Sequence, residues 1–323
     1  MLEFVWFITM ATPAAVGTAV AQAQAQATGY YATICPGPQA TIPPVFARAV
    51  LDLQTSLGMP VWLLIQAGEE KYNDIGENLR KAFFDARGEM PQNGPVALLI
   101  DSPGGDARNA FQIATLFRRQ CSGFTAVVPR YAKSAATLLV LGAKEIILNR
   151  FAELGPLDAQ VWDSEREEFS SALDEVQTLE RLHAFSLEAL DRTMMFLIGR
   201  TGKKVERMLP QVAKYIADIM SPMLANVDVV HFTQRARLLK VAEEYAIRLL
   251  RSRHSNEEAQ TIARHLVEKY PEHDFVIDAD ELAAIGIKNT KQPTADQINL
   301  MDGMIPYLGK TSFIGRVEGV PNP

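Results

Sequence analysis

Cysteine is nearly absent from this chain: Cys35 and Cys121 are the two in 323 residues. Two thiols build no disulfide framework and show no zinc-ligand spacing, so both read as structural, with Cys121 at a helix end beside the core. Clustered positive charge is lacking as well. Lys and Arg total 32 against 38 Asp and Glu, for a net charge of −6. Neutralising a phosphate backbone needs grouped Lys and Arg, so nucleic acid is excluded as a partner. Histidine is scarce, at five residues, which leaves few candidates for a general base. A clean membrane-length apolar run is missing too. Residues 1 to about 27 are apolar and Ala-rich and end in Ala-Gln repeats, but they carry Glu3 and no Lys or Arg, and Pro13 interrupts them. They read as an N-terminal arm of a cytoplasmic protein, the alternative being a signal segment or membrane anchor that exports the chain or holds it at a membrane.

What is present is an ordinary globular composition, 48% hydrophobic and 22% charged. Its length allows one large core, or one domain with appendages. Residues 35–44, with four prolines before the apolar stretch begins, read as loop or linker. Strands are expected at 60–66, 96–100, 124–128 and 145–149, each a nearly unbroken apolar run. Helices are expected between them, at 74 to about 86 and 107 to about 119, with a short one ending near Gly142. This alternation calls for a largely parallel sheet with crossover helices, covered on both faces.

From about Ser170 to Tyr270 the pattern turns helical. One apolar stripe runs from Leu173 through Leu190 to Leu197 and another from Leu238 to Leu250. Both fit packed helix faces, and stripes of this length also permit contact between copies. An extended segment around Phe275–Asp278 follows, then a small helix closed by Gly286. From Pro293 onward, glycine and proline suggest an irregular tail.

Two segments stand where a hydrolase would need them. Asp101-Ser102-Pro103-Gly104-Gly105-Asp106 follows the second strand, and Tyr131-Ala132-Lys133-Ser134-Ala135-Ala136-Thr137 follows the third. Each is a strand ending in a turn that opens a helix. Gly104 and Gly105 can offer backbone N–H groups to a developing oxyanion and allow close approach of a substrate backbone. Ser134, about 30 residues on, is the candidate nucleophile. Taken alone, the glycines fit a tight turn and the serine fits a helix cap bonded to its own helix. A serine hydroxyl needs a base, and the base needs orienting. His183, His231, His254 and His265 fall in helical stretches, whereas His273 lies in a loop before an extended run, and Asp158 follows a Gly-Pro turn at a strand end. Lys133 and Lys144 leave a Ser–Lys dyad open as another arrangement.

These segments resemble the ClpP/crotonase superfamily, and more closely the serine dehydrogenase proteinase family of ClpP-type serine peptidases. The chain matches that family's pattern in order, from about Pro60 to Lys288. The matching stretches are Ser102-Pro103-Gly104-Gly105-Asp106, Val128 to Leu138, Ala143-Lys144-Glu145-Ile146, Leu154-Gly155-Pro156-Leu157-Asp158-Ala159-Gln160, and Tyr270 to Asp278. Ala136 stands where the pattern has glycine, and Ala159 where it has proline.

The resemblance implies an α/β, ClpP/crotonase-like fold whose mostly parallel sheet carries crossover helices and an α-helical insert at about 165–269. The domain would span 45–292, with 1–44 as arm and linker and 293–323 as tail. It implies a serine peptidase without cofactor or metal, acting on a peptide or protein substrate and assembling as a homo-oligomer. Ser134 would be the nucleophile, His273 the base, Asp158 the orienting acid, and Gly104 and Gly105 the oxyanion hole. In ClpP the loop matching Asp158 carries the histidine and the later loop the aspartate, so the two partners would have exchanged places. A crotonase-like protein that binds an acyl thioester, and a catalytically silent oligomeric scaffold, are the rival readings.

Overall fold

The computed structural model describes residues 29–68, 71–158, 160–163, 168–225 and 227–320. The arm expected at residues 1 to about 27, and Ala159, lie outside the described residues. The chain divides into two compact units, one of 29–154 with 276–320, the other of 155–275.

The first unit is built on six strands: β1 (Tyr30–Ala32), β2 (Val61–Ile65), β3 (Ala97–Asp101), β4 (Thr125–Val128), β6 (Glu145–Leu148) and β10 (Phe313–Gly319). Their order across the sheet is β1-β10-β2-β3-β4-β6. The four central and far strands, β2, β3, β4 and β6, run parallel, and β10 and β1 add antiparallel at one edge. All five residues of β2 and all five of β3 are buried, which explains the unbroken apolar run of β2 and of β3 up to Asp101. A strand covered on both faces has no solvent side to mark with polar residues.

Alternate residues of β2 enter different cores. Val61, Leu63 and Ile65 join Phe46, Phe313, Met301 and Met304 on the face covered by α1 (Pro44–Leu57) and α10 (Ala295–Met304). Trp62 belongs to an aromatic cluster with Phe83 of α2 (Glu77–Asp85) and Phe117 of α3 (Ala107–Gln120), which in turn meets Phe124, ring centroids 5.6–6.2 Å apart. Cys121 ends α3 and is buried, and burial pushes its thiol pKa up. That environment disfavours the reactive thiolate and suits a structural residue.

Three expectations need correcting. Residues 74–76 do not join α2, because Ile75 donates its N–H to Gly104 O at 2.7 Å and accepts Asp106 N–H at 3.2 Å. Those backbone groups are spent on a bridge to Gly105 instead. The stretch 1–44, expected as arm and linker, contains β1, with Tyr30, Ala32 and Ile42 buried in the core. Within the expected tail, residues 293–320 hold regular structure: Thr294 and Gln297 form a capping box that starts α10, and β10 fills the sheet between β1 and β2.

A second, smaller ladder continues from the sheet's C-terminal ends. Ser102 bridges Ala132 of β5 (Tyr131–Ala132), β5 pairs in parallel with β7 (Glu153–Leu154), and Leu154 bridges Ile277 in antiparallel sense. The short, wholly buried helix α4 (Ala135–Leu141) follows β5.

The second unit holds a hairpin, β8 (Gln160–Asp163) with β9 (Glu168–Ser171), which the sequence reading did not anticipate. Four helices follow: α5 (Ala172–Thr201), α6 (Val205–Leu224), α7 (Val229–Leu250) and α8 (Asn256–Glu268). The first expected stripe packs on α6, where Met194 and Leu197 meet Met208, Val212, Ile216 and Met220. The helix α9 (Ala279–Ala284), capped by Asp278, returns the chain to the first unit. Among the described residues no helix is long and apolar enough to cross a membrane.

If β10 is a structural strand, a chain truncated after Gly309 should fail to fold, because the edge of β2 and the Phe313–Phe46 contact are lost together. Circular dichroism and a urea melt check this. A cooperative transition like that of the intact chain would show the strand to be dispensable.

Candidate active site

In the first unit the ladder brings the two sequence motifs together. Ser102 N–H donates to Tyr131 O at 3.2 Å, and Lys133 N–H donates to Ser102 O at 3.0 Å. This pairing lays the glycine turn directly against Ser134. A Cβ built on Gly104 would lie 2.7 Å from Lys133 O, 2.9 Å from Ser134 Cβ and 3.2 Å from Ala135 N. One built on Gly105 would lie 2.6 Å from Ile75 N. Both glycines have positive φ, at +111° and +142°. Space and backbone conformation therefore each demand glycine here.

Ser134 is itself strained. Its φ of 50° and ψ of −119° lie in a region that residues with a Cβ rarely adopt. Although it stands at the N-cap of α4, its side chain makes no capping hydrogen bond. The bland expectation for this serine, a hydroxyl bonded to its own helix, is not what the fold uses. Thr137 instead ties its hydroxyl to Ala132 O at 2.7 Å, anchoring the helix to β5.

The amides of the turn differ. Gly104 N–H donates to Ser102 Oγ at 3.1 Å. The expected oxyanion donor at Gly104 is thus directed at a neighbouring hydroxyl. Gly105 N–H lies on the side of the bridge turned from Ile75, and no described group of this unit accepts it. Ala135 begins α4, where an N–H has no intrahelical acceptor. Sequence reading passed over Ala135 as a donor. The signal for it was available, since the residue after a serine on such an elbow turns its N–H to the same side as the hydroxyl.

Lys133 faces elsewhere: its ammonium lies 2.8 Å from Glu153 Oε1 and 3.4 Å from Leu154 O. Lys144 is exposed. Below the turn, Arg130 makes a bidentate pair with fully buried Asp101, at 3.0 and 2.6 Å, and stacks on Tyr131. Burial pushes the Asp101 carboxyl pKa up, while Arg130 pulls it the other way.

The second unit holds the other pair. Asp158 is buried, and its Oδ1 is hydrogen-bonded to His273 Nδ1. A carboxylate only accepts, so the hydrogen of this bond sits on Nδ1. Asp158 Oδ2 accepts Ser171 O–H at 3.1 Å, and the same serine caps α5. Leu157 N–H donates to Leu266 O at 2.8 Å, fixing the Asp158 loop to α8. Around His273 the loop is braced by Tyr270 stacked on Phe275, ring centroids 4.7 Å apart, and by His265 edge-on to Tyr270. The remaining histidines sit on α5 (His183), on α7 (His231) and just after α7 (His254). Among the described residues no group of three or more His, Cys, Asp or Glu could hold a metal ion.

A family model for ClpP-like SDH-type serine proteinases matches residues 52–226, more than half of the chain. The chain belongs to that family. Gly104, Gly105, Ser134 and Asp158 fall inside the matched segment, and His273 lies beyond it. Two uncharacterized proteins of Methanocaldococcus jannaschii are similar to the chain. MJ1495 is 27% identical over 240 residues, covering 74% of this chain and 64% of that protein. MJ0137 is 24% identical over 266 residues, covering 82% and 73%. Among solved structures, a mutant of ClpP1 from Listeria monocytogenes aligns with 76% of this chain and 99% of its own, at 14% identity and a TM-score of 0.34.

Replacing Gly104 by alanine should cost roughly 2–4 kcal/mol, from a strained φ and a collision with backbone. Gly199→Ala, at an open position on α5, should be neutral or stabilising by up to about 1 kcal/mol. Urea denaturation of the two variants measures the contrast.

Proposed function

We propose that this chain is a serine peptidase that cleaves peptide bonds through an acyl-enzyme on Ser134. The observation that carries the reading is the strained backbone of Ser134 (φ 50°, ψ −119°), held against a glycine turn with its hydroxyl released from capping. Backbone strain of this kind persists where a side chain must be presented, and a strand-to-helix elbow presents a nucleophile. Membership of a family of ClpP-like serine proteinases supports it.

In this mechanism Ser134 Oγ attacks the scissile carbonyl carbon while His273 Nε2 takes its proton. Asp158 keeps the ring in the tautomer that can accept and stabilises the imidazolium that forms. The carbonyl oxygen, now an oxyanion, is met by N–H groups at the glycine turn and the start of α4, Gly105 and Ala135 being the ones free to donate. Collapse of the tetrahedral intermediate breaks the C–N bond, and the leaving amine takes the proton from His273. Water then repeats the sequence on the acyl-enzyme, restoring Ser134. Lys133, engaged by Glu153, leaves proton transfer to His273. The substrate is a peptide or protein, and the working form is a homo-oligomer. In support of the latter, α5 and α6 leave Met195, Phe196, Tyr215 and Met223 exposed, more apolar surface than a solitary helical hairpin needs.

A fluorophosphonate probe should label the wild-type protein and spare Ser134→Ala. His273→Ala and Asp158→Asn should slow labelling and peptide hydrolysis by roughly 10³–10⁴-fold. Peptide turnover by Ser134→Ala equal to that of wild type would overturn the assignment.

A further inference from the structure

We propose that Ser102 and Gln66 are positioning residues for this reaction: their side chains hold the glycine turn at the spacing from Ser134 that a carbonyl needs. The inference rests on the reading of Ser134 as nucleophile. It starts from three hydrogen bonds in series, the first two of them buried. Gly104 N–H donates to Ser102 Oγ at 3.1 Å, Ser102 O–H donates to Gln66 Oε1, and Gln66 Nε2–H donates to Tyr72 O at 2.8 Å. Ser102 is fully buried and Gln66 is 1% exposed, so water does not replace the bonds that Ser102 makes to Gly104 and Gln66.

Ser102 is joined to both halves of the elbow-and-turn arrangement. Its backbone exchanges hydrogen bonds with Tyr131 and Lys133, next to Ser134, and its hydroxyl grips Gly104. Gly104 is thereby held at three points: the N–H by Ser102, the C=O by Ile75 N–H, and the bare Cα against Ser134 and Lys133. With that peptide fixed, the following Gly105 N–H points outward at a set angle. Gln66 is anchored in turn by its own N–H to Asp101 O at 2.9 Å, so the chain of bonds ends on the rigid sheet. Removing the Ser102 hydroxyl strands a buried N–H and a buried amide oxygen, and the turn relaxes to find other partners. A displacement near 1 Å of an oxyanion donor is enough to cost about 10²-fold in rate. Ser102 and Gln66 touch no reacting atom; their effect passes through the Gly104–Gly105 turn.

The test measures fluorophosphonate labelling, peptide kcat and KM, and hydrogen–deuterium exchange at Gly104 in Ser102→Ala, Ser102→Thr and Gln66→Leu. Ser102→Ala should lower kcat and the labelling rate by roughly 10–100-fold with KM within about threefold of wild type. It should also speed exchange of the Gly104 amide. Ser102→Thr, which keeps the hydroxyl, should restore most of the rate. Gln66→Leu should fall between, and it carries the test if Ser102→Ala does not fold. A labelled wild type with Ser102→Ala at the same rate or faster overturns this inference alone, as does a rate loss that tracks the melting temperature and is not rescued by threonine. A wild type that takes no label, beside a control peptidase that does, overturns the peptidase reading as well.

Discussion

Two backbone hydrogen bonds, from Ser102 to Tyr131 and from Lys133 to Ser102, join the end of β3 to the segment that carries Ser134. The close contacts of Gly104 with Lys133, Ser134 and Ala135 depend on that register. The side-chain period of an extended strand is two, so a slip of one residue would turn the Ser102 side chain to the opposite face. It would also carry Gly104 away from Lys133 and Ser134, neighbours that require a missing Cβ. The parallel sheet beneath makes such a slip costly, since β3 and β4 are buried on both sides and their partners are already set.

The small ladder ends within the first unit. Leu154 and Ile277 are bridged in antiparallel sense. Asp158 and His273 are held inside the second unit, from loops 115 residues apart, by their own side-chain bond and by Ser171 on the second carboxylate oxygen.

Much of this was legible in the residues. The apolar runs that became β2, β3, β4 and β6 are strands sealed on both faces, and the glycine pair and Ser134 declared themselves as turns ahead of helices. His273 was separable from the other histidines because it alone sits in a loop before an extended segment. The edge of the sheet was harder to read. In β10, Gly315, Arg316, Glu318 and Gly319 dilute the apolar signal, since an antiparallel strand near an edge has one face less covered. Yet Thr294 and Gln297 were a readable helix start that glycine content obscured. The backbone angles of Ser134 and the hydroxyl of Ser102 were beyond sequence reading, because residue identity carries no side-chain direction.

The place of β10 between β1 and β2 bears on how the protein is made. A ribosome delivers β2 long before residues 313–319, and until then one margin of the nascent sheet stays open with its amides and carbonyls unmatched. Such a margin is a template for wrong partners, and closing it joins segments far apart along the chain, which is slow. The intermediate that precedes closure is therefore the state most exposed to aggregation during synthesis, and the one a chaperone would have to shelter.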